Sequence, residues 1–194
     1  MDLGLSVLWA EANIGANSAT DYGNYYAWGE VTAYNEETNG ETKTNYSWST
    51  YKWTEDNGSS FAKYTADGKT TLDKEDDAAY VNWGSSCRMP TKDEFDELVN
   101  SDNCKCIWDD GEEEGCKITS KKTGYEGNSI FFPASGYRDG GNLKSQRSNG
   151  GCWSSSLVSD GSSYAYHLFV GLTSKSDYYN RYIGFAVRPV AEKP

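Results

Sequence analysis

Histidine is nearly absent from this 194-residue sequence, and His167 is its only representative. Acid–base catalysis by His167 would need a nucleophile or a second titratable group beside it, and no catalytic motif surrounds it. The spacing Cys104-x-Cys106, far from His167, is also not a zinc motif. We therefore predict that His167 is an exposed strand residue, and we predict no catalytic residue, no metal ligand and no cofactor.

Basic side chains are also scarce. The sequence has 18 Lys and Arg against 29 Asp and Glu, a formal net charge of −11. Such acidity disfavours nucleic acid and anionic lipid as partners. No apolar run approaches the roughly 20 residues of a membrane span, so we predict no membrane insertion. The start, MDLGLSVLWA, lacks the pattern of a signal peptide, and the sequence leaves open whether Met1 is the native start.

Proline is rare and aromatic residues are frequent. Four prolines and 20 glycines exclude collagen-like or proline-rich disorder, and 14% aromatic residues indicate a packed core. The length predicts one domain, 1–194. The acidic run 109–114 does not match an EF-hand loop and is typical of a solvated hairpin tip, so we predict no calcium site there.

The sequence has five cysteines, an odd number, so at least one stays unpaired in a monomer. Cys106 and Cys116 are equidistant from Gly111, so a hairpin centred there would place them face to face. Two interpretations stay open, a cross-strand disulfide or two small buried thiols.

Helix signals are few. Thr91 with Glu94 forms a capping-box pattern ahead of an apolar stripe, which predicts a helix from Thr91 to about Asn100. A second helix is predicted from Asp73 to about Trp83, with Gly84 as its stop signal. The rest indicates short strands and loops, with a polar insert at about 31–70 whose aromatic residues anchor it. The predicted strands are 5–11, a hairpin with arms at 107–108 and 116–119, then 129–132, 164–170 and 183–190, and an aromatic segment at 24–30 begins another layer.

The strand 164–170 has a period-two pattern. It predicts Tyr166, Leu168 and Val170 in the core. It places Ala165, His167, Phe169 and Gly171 on a solvent-facing side. The serines 154–156 are interpreted as hydroxyls that satisfy backbone groups near a turn. Arg88 and Arg188 are interpreted as structural hydrogen-bond donors.

Several segments together resemble one known family. They are DLGLSVLWAEANIGA, DYGNYYAWGE, AAYVNWGSSCRMPTKDEFDELV, GNSIFFPASGYR, CWSSS and GFAVRPV. Their order and spacing are similar to those of a large Bacteroidetes family of secreted domains with a C-type lectin-like fold. That family is related to the formylglycine-generating-enzyme fold and includes variable proteins of diversity-generating retroelements.

The resemblance implies an α+β fold with small antiparallel sheets, two helices and long irregular loops. It implies a secreted or cell-surface location, with a phage particle as the alternative. It also implies a variable ligand-binding region at about 134–190. The positions that match the varied slots are Asp139, Gly140, Ser145, Gly151, His167, Phe169, Gly171, Tyr178, Tyr179, Asn180 and Ile183.

Two departures from the family pattern involve cysteine. Cys87 and Cys152 replace aromatic residues of the family, which leaves open a bridge between them or two independent changes. The related enzymes use a cysteine pair near the C-terminal motif, and no cysteine follows Trp153. This weakens the enzyme interpretation.

We therefore predict a binding protein, an adhesin-like domain that recognises an unidentified protein or glycan and is diversified by a retroelement. The alternatives are a formylglycine-generating-enzyme-like oxidase or another enzyme on the same fold, or a structural module of a pilus tip or phage tail fibre.

Overall fold

A computed structural model describes residues 1–38, 40–64, 68–159 and 163–194. These residues form an α+β arrangement of small antiparallel sheets with two α-helices, α1 (Ala78–Trp83) and α2 (Lys92–Val99). The twelve strands of this part of the chain are β1 (Val7–Trp9), β2 (Glu37–Thr38), β3 (Glu41–Thr42), β4 (Cys104–Asp109), β5 (Gly115–Ser120), β6 (Ser129–Pro133), β7 (Tyr137–Asp139), β8 (Asn142–Lys144), β9 (Gly150–Leu157), β10 (Tyr164–Val170), β11 (Lys175–Asn180) and β12 (Val190–Glu192).

Helix α2 begins as the capping box predicts. The Thr91 hydroxyl accepts from the Glu94 amide at 3.2 Å, and the Glu94 carboxylate accepts from the Thr91 amide at 2.7 Å. Phe95 and Leu98 of α2 are buried in the core. Arg88 donates to the same Glu94 at 2.6 Å and to Glu192 at 2.7 Å, which confirms its structural hydrogen-bonding role.

The second helix is shorter than predicted. Residues Lys74–Asp76 form a separate 3₁₀ turn, and α1 begins only after Asp77. The Asp77 carboxylate accepts from the amides of Ala79 and Tyr80 at 2.8 and 3.0 Å. Asp77 therefore caps a new helix instead of continuing the preceding turn.

The predicted acidic hairpin is confirmed as β4–β5, with β6 on the far side of β5. Asp109 pairs with Gly115, so the hairpin is centred on residue 112 rather than 111. A disulfide joins Cys106 to Cys116, with the two Cα atoms 6.2 Å apart. Cys116 lies opposite Trp108, so the bond crosses the ladder diagonally.

Cys87 and Cys152 are both free thiols, so no bridge forms between them. Cys152 is buried beside Leu168 of β10, whereas Cys87 is half-buried in the loop after α1.

The predicted strand 183–190 is wrong for most of its length. Gly184 bridges to Arg138, Phe185 to Tyr26, and Ala186 to Cys152. Because successive residues meet different segments, no continuous ladder forms before β12, which pairs with β1. The predicted strand 5–11 is present only as β1.

Two apolar clusters cover the two faces of the sheet β11–β10–β9. The first contains Trp9, Phe95 and Phe132 with Cys152, Leu168 and Val170, and the second contains Trp28, Trp153, Ala165, Ile183 and Phe185. Both faces of this sheet are therefore packed along β9 and β10, whereas β11 contributes no residue to either cluster.

Aromatic residues of the polar insert form a third cluster, as predicted. Tyr46, Tyr51 and Phe61 are buried there, and Trp48 packs against them. The guanidinium of Arg181 lies over the Phe61 ring at 4.3 Å, and its Nε donates to the Tyr51 hydroxyl at 2.9 Å. This buried arginine attaches the insert to the C-terminal region.

Arg188 holds the N-terminal segment against the sheet. It is fully buried and donates to the Asn13 side chain at 2.8 Å and to the Phe131 carbonyl at 2.9 Å. It also donates to the carbonyls of Ala10 and Glu11 at 3.2 and 3.1 Å. The predicted structural hydrogen-bonding role of Arg188 is confirmed.

Candidate ligand-binding faces

Strand β11 lies at the edge of the sheet and carries two predicted site residues side by side. Tyr178 pairs with Tyr166 of β10, and Tyr179 pairs with Ala165. Neighbouring residues of a strand point to opposite faces of the sheet. The predicted single patch is therefore divided between two faces.

His167 is buried, with only 4% of its surface exposed, so its predicted exposure is wrong. Its ring stacks on Phe185 at 4.5 Å and meets Trp153 edge-on at 5.9 Å. The period-two argument assumes that one face of the sheet is solvated. Here the second apolar cluster covers that face, so Ala165 is buried as well and Phe169 is half-buried.

The environment of His167 favours the neutral imidazole. Burial lowers its pKa from the ordinary 6.5 to about 4, against the opposing effects of a hydrogen bond with the Leu168 backbone and the charge of Asp177. Its Nδ1 has no hydrogen-bond partner among the described residues.

Gly151 faces the same cluster. A Cβ atom there would lie 2.5 Å from the Phe185 ring and 3.0 Å from the His167 Nδ1. Two of the predicted variable positions, Gly151 and His167, are thus packed around one phenylalanine. Ile183 is also buried, and its carbonyl accepts from the Trp153 indole at 3.2 Å. Substitution at these three positions would change the core.

The first exposed face is here called the Tyr179 surface and consists of Tyr137, Asp139, Lys144, Tyr179 and Tyr182. Tyr179 is 40% exposed, and its ring lies 5.9 Å from that of Tyr137. Lys144 pairs with Asp139 at 2.7 Å. Partial burial raises the pKa of Tyr179, with Tyr137 and Asp139 acting in the same direction. The Tyr179 hydroxyl is therefore held in its neutral form, which can donate a hydrogen bond.

The second exposed face is here called the Tyr178 surface and consists of Lys92, Tyr164, Tyr166 and Tyr178. Tyr166 is half-buried and belongs to neither apolar cluster of the sheet, so its predicted place in the core is wrong. Tyr178 is 54% exposed, and its ring meets those of Tyr164 and Tyr166 at 5.6 and 6.5 Å. The Lys92 ammonium lies 5.4 Å from the centre of the Tyr166 ring. Asn180 pairs with Tyr164 and is half-buried beside this surface.

The remaining predicted positions lie at turns. Gly140 has φ +62, with open space around a hypothetical Cβ, and exchanges backbone hydrogen bonds with Tyr46. Ser145 is exposed with φ 57. Gly171 is buried, and a Cβ there would lie 2.6 Å from the Phe169 ring.

The serine run 154–156 lies within β9 and not at a turn, which corrects that part of the prediction. Between the pairs Leu157–Ala165 and Trp153–His167, β9 spans two more residues than β10. The Ser154 hydroxyl donates to the Tyr166 carbonyl at 2.8 Å. The predicted role of these hydroxyls in satisfying backbone groups is confirmed, and they do so at a bulge.

Tyr137, Lys144 and Tyr182 belong to the Tyr179 surface but were not among the predicted site residues. Tyr137 and Lys144 come from β7 and β8, and Tyr182 follows β11. Only Tyr182 carried a signal, because it follows three predicted positions in the run Tyr178-Tyr179-Asn180-Arg181-Tyr182.

Three acidic residues that follow the insert cluster around one of its lysines. The carboxylates of Asp73, Glu75 and Asp76 lie close enough together to hold a metal ion. The Lys63 ammonium lies 2.8, 3.6 and 2.6 Å from them in that order. An ammonium ion thus already provides the positive charge that a metal would bring to this cluster.

An open cleft of about 560 Å³ lies at the hairpin tip, and Glu11, Asp109, Glu112, Glu113 and Lys117 are among its lining residues. Its lining includes no residue of either tyrosine surface. None of the helices in the described ranges is sufficiently long and apolar to cross a membrane.

No protein-family model matches this chain, and neither the curated proteins nor the solved structures include a significant match. The class that the fold and the site define is therefore an α+β chain of small antiparallel sheets. Its central sheet is packed on both faces along β9 and β10, and the edge strand β11 presents two tyrosine surfaces.

Proposed function

We propose that this chain is a ligand-recognition domain with a C-type lectin-like fold, and that the two tyrosine surfaces bind a protein or a glycan. The observation that carries this proposal is the exposure of Tyr178 and Tyr179 on an edge strand whose sheet is packed on both faces along β9 and β10. Tyrosine offers a large contact area and a hydrogen-bonding hydroxyl at a small entropic cost. A rigid support further lowers the cost of binding.

The thiol of Cys152 supports binding rather than oxidation. Cys152 is buried, and burial raises the pKa of its thiol to about 12, with the charge of Arg188 opposing this shift. A thiol in that state is a poor nucleophile at neutral pH. The aromatic neighbours of His167 also provide no nucleophile for it to activate.

The disulfide between Cys106 and Cys116 supports a secreted or cell-surface location, since such bonds persist in oxidising compartments. Diversification by a retroelement is part of the proposal in a narrower form. Variation at Asp139, Tyr178, Tyr179 and Asn180 alters exposed or half-buried side chains without refilling the core.

Two experiments test this function. The first screens the domain against a glycan array and against displayed extracellular proteins. A ligand whose binding survives alanine at both Tyr178 and Tyr179 would place recognition elsewhere.

The second experiment searches the source genome for a near-copy of the DNA encoding 134–190, differing only at adenines, beside a reverse transcriptase. Its absence would remove the retroelement part of the proposal and leave the binding part intact.

A further inference from the structure

Strand β4 has an open edge. It is the outer strand of the sheet β4–β5–β6, and the described residues place no strand on its other side. Lys105, Cys106, Ile107 and Asp109 are exposed along it. Ile107 is 49% exposed, which is unusual for a large aliphatic side chain at an unpaired sheet edge.

The ladder with β5 shows which backbone groups face outward. The Lys121 amide donates to the Asn103 carbonyl at 2.8 Å, so these two residues form a hydrogen-bonded pair. Hydrogen-bonded and non-hydrogen-bonded pairs alternate along an antiparallel ladder. Lys105, Ile107 and Asp109 therefore direct their backbone groups to β5.

The even-numbered residues of β4 direct theirs to the open edge. The Cys104 amide is already used, because it donates to the Asn100 carbonyl at 3.0 Å. The outward amides of Cys106 and Trp108 donate no hydrogen bond to the part of the chain that the structure describes, and their outward carbonyls accept none from it. These four groups form a short open template for another strand.

We propose that this edge pairs with the same edge of a second copy of the chain, antiparallel about a two-fold axis at Ile107. Cys106 of each copy then lies opposite Trp108 of the other, and the four open groups of each copy form backbone hydrogen bonds. Each Ile107 meets its equivalent as a non-hydrogen-bonded pair. The two three-stranded sheets become one sheet of six strands.

The charges along the edge select this register. Lys105 of each copy lies opposite Asp109 of the other, and opposite charges at directly facing positions stabilise a strand pair. A register centred on Cys106 would place Lys105 opposite Ile107 and would need the Cys104 amide, which Asn100 already uses. A lysine on an edge strand normally opposes pairing with arbitrary strands. Only a partner strand with an acidic residue at the facing position compensates the charge of this lysine.

Analytical ultracentrifugation of the full chain tests the proposal. A single short strand pair predicts a weak dimer, with a dissociation constant on the order of 10–100 µM. Ile107→Lys should weaken it at least about tenfold, because two ammonium groups would meet on the axis. Leu143→Lys makes the same change on the exposed strand β8 and should leave dimerisation unchanged.

Charge reversal distinguishes this register from non-specific association. Lys105→Glu should weaken the dimer about fivefold or more by facing Asp109, and adding Asp109→Lys should restore it within about twofold. Asp109 also accepts from the Gly111 amide at 3.0 Å, so circular dichroism must show that the double variant keeps its fold.

Cross-linking gives a second readout that needs no stable dimer. In a Cys87→Ser background, Ile107→Cys should form an intermolecular disulfide, because non-hydrogen-bonded partners have Cα atoms about 4.5 Å apart. Lys105→Cys is the control, since its equivalents would lie four residues apart along the strand, about 13 Å. The proposal would be overturned if the chain stayed monomeric at about 1 mM and the two cysteine variants formed the intermolecular disulfide to an equal extent.

Discussion

Replacing His167 by phenylalanine tests the packing of the central sheet, because the buried imidazole makes stability depend on pH. The folded chain holds His167 with a pKa of about 4, whereas the unfolded chain has the ordinary 6.5. The unfolded state therefore binds a proton more readily. The stability that the neutral side chain provides is complete above about pH 6.5 and is lost as the pH falls towards 4.

The magnitude follows from the two pKa values. Each pKa unit corresponds to about 1.4 kcal/mol, so protonation of His167 destabilises the fold by about 3 kcal/mol at pH 4. Phenylalanine keeps the stacking on Phe185 and cannot titrate. It also removes the Nδ1 atom that has no partner in the described structure, which should add about 1–3 kcal/mol of stability at neutral pH.

Urea unfolding followed by tryptophan fluorescence measures this effect. The stability difference between His167→Phe and the wild type should grow by about 3 kcal/mol from pH 7 to pH 4. Carboxylates that titrate in this range are common to both proteins and largely cancel. Asp177 faces His167 across the strand pair, so Asp177→Asn is measured as a control. This variant should still lose stability as the pH falls from 7 to 4.

A constant difference across this pH range would refute the reasoning. An independent check is available because His167 is the only histidine. Its imidazole proton signal in NMR spectra is therefore unambiguous. Titration of this signal near pH 6.5 would show that the side chain is solvated in the folded protein.

Three further changes test the packing, each by chemical unfolding. Gly151→Ala should destabilise the fold by about 1–3 kcal/mol, since its Cβ would lie 2.5 Å from the Phe185 ring; unchanged stability would mean that the ring has room to move. Arg188→Met should cost about 3 kcal/mol or more, because several buried acceptors lose their donor, and a neutral result would contradict its structural role. Replacing both Cys106 and Cys116 by serine should cost about 2–3 kcal/mol, and a smaller loss would show that the unfolded hairpin is already constrained.

Local signals predicted the elements that depend on neighbouring residues. The capping box at Thr91 defined the start of α2, and the acidic turn defined the β4–β5 hairpin. The interactions that stabilise these two elements join residues that are close together in the chain. A single sequence is therefore sufficient to predict them. The aromatic residues of the insert were predicted to anchor it, but nothing local indicated that Arg181 would be their partner.

The face of β10 was predicted wrongly because its environment comes from distant segments. Phe185 covers His167 from a stretch that forms isolated bridges to several parts of the chain. A period-two pattern identifies the two sides of a strand but does not say how many of them are buried. The strands β9 and β11 were not predicted, because serine and glycine make up most of β9 and serine and charged residues make up half of β11.

The candidate site shows the same division between local and long-range information. Tyr178 and Tyr179 were correctly expected at the surface, and both are exposed. Their adjacency in the strand separates them onto two faces, and Tyr137 joins only one of these faces through tertiary contact. The sequence thus indicated exposed tyrosines without indicating two separate surfaces.

The affinity of the domain for a ligand recovered by screening, measured by calorimetry for single alanine variants, tests the central claim most directly. Tyr178→Ala or Tyr179→Ala should lower the affinity about fivefold or more, corresponding to over about 1 kcal/mol for a central aromatic. The matched control is Trp83→Ala, because Trp83 is 43% exposed at the end of α1 and belongs to neither surface. Affinities within about twofold of the wild type for both tyrosine variants, or an equal loss for the control, would contradict recognition through the tyrosine surfaces.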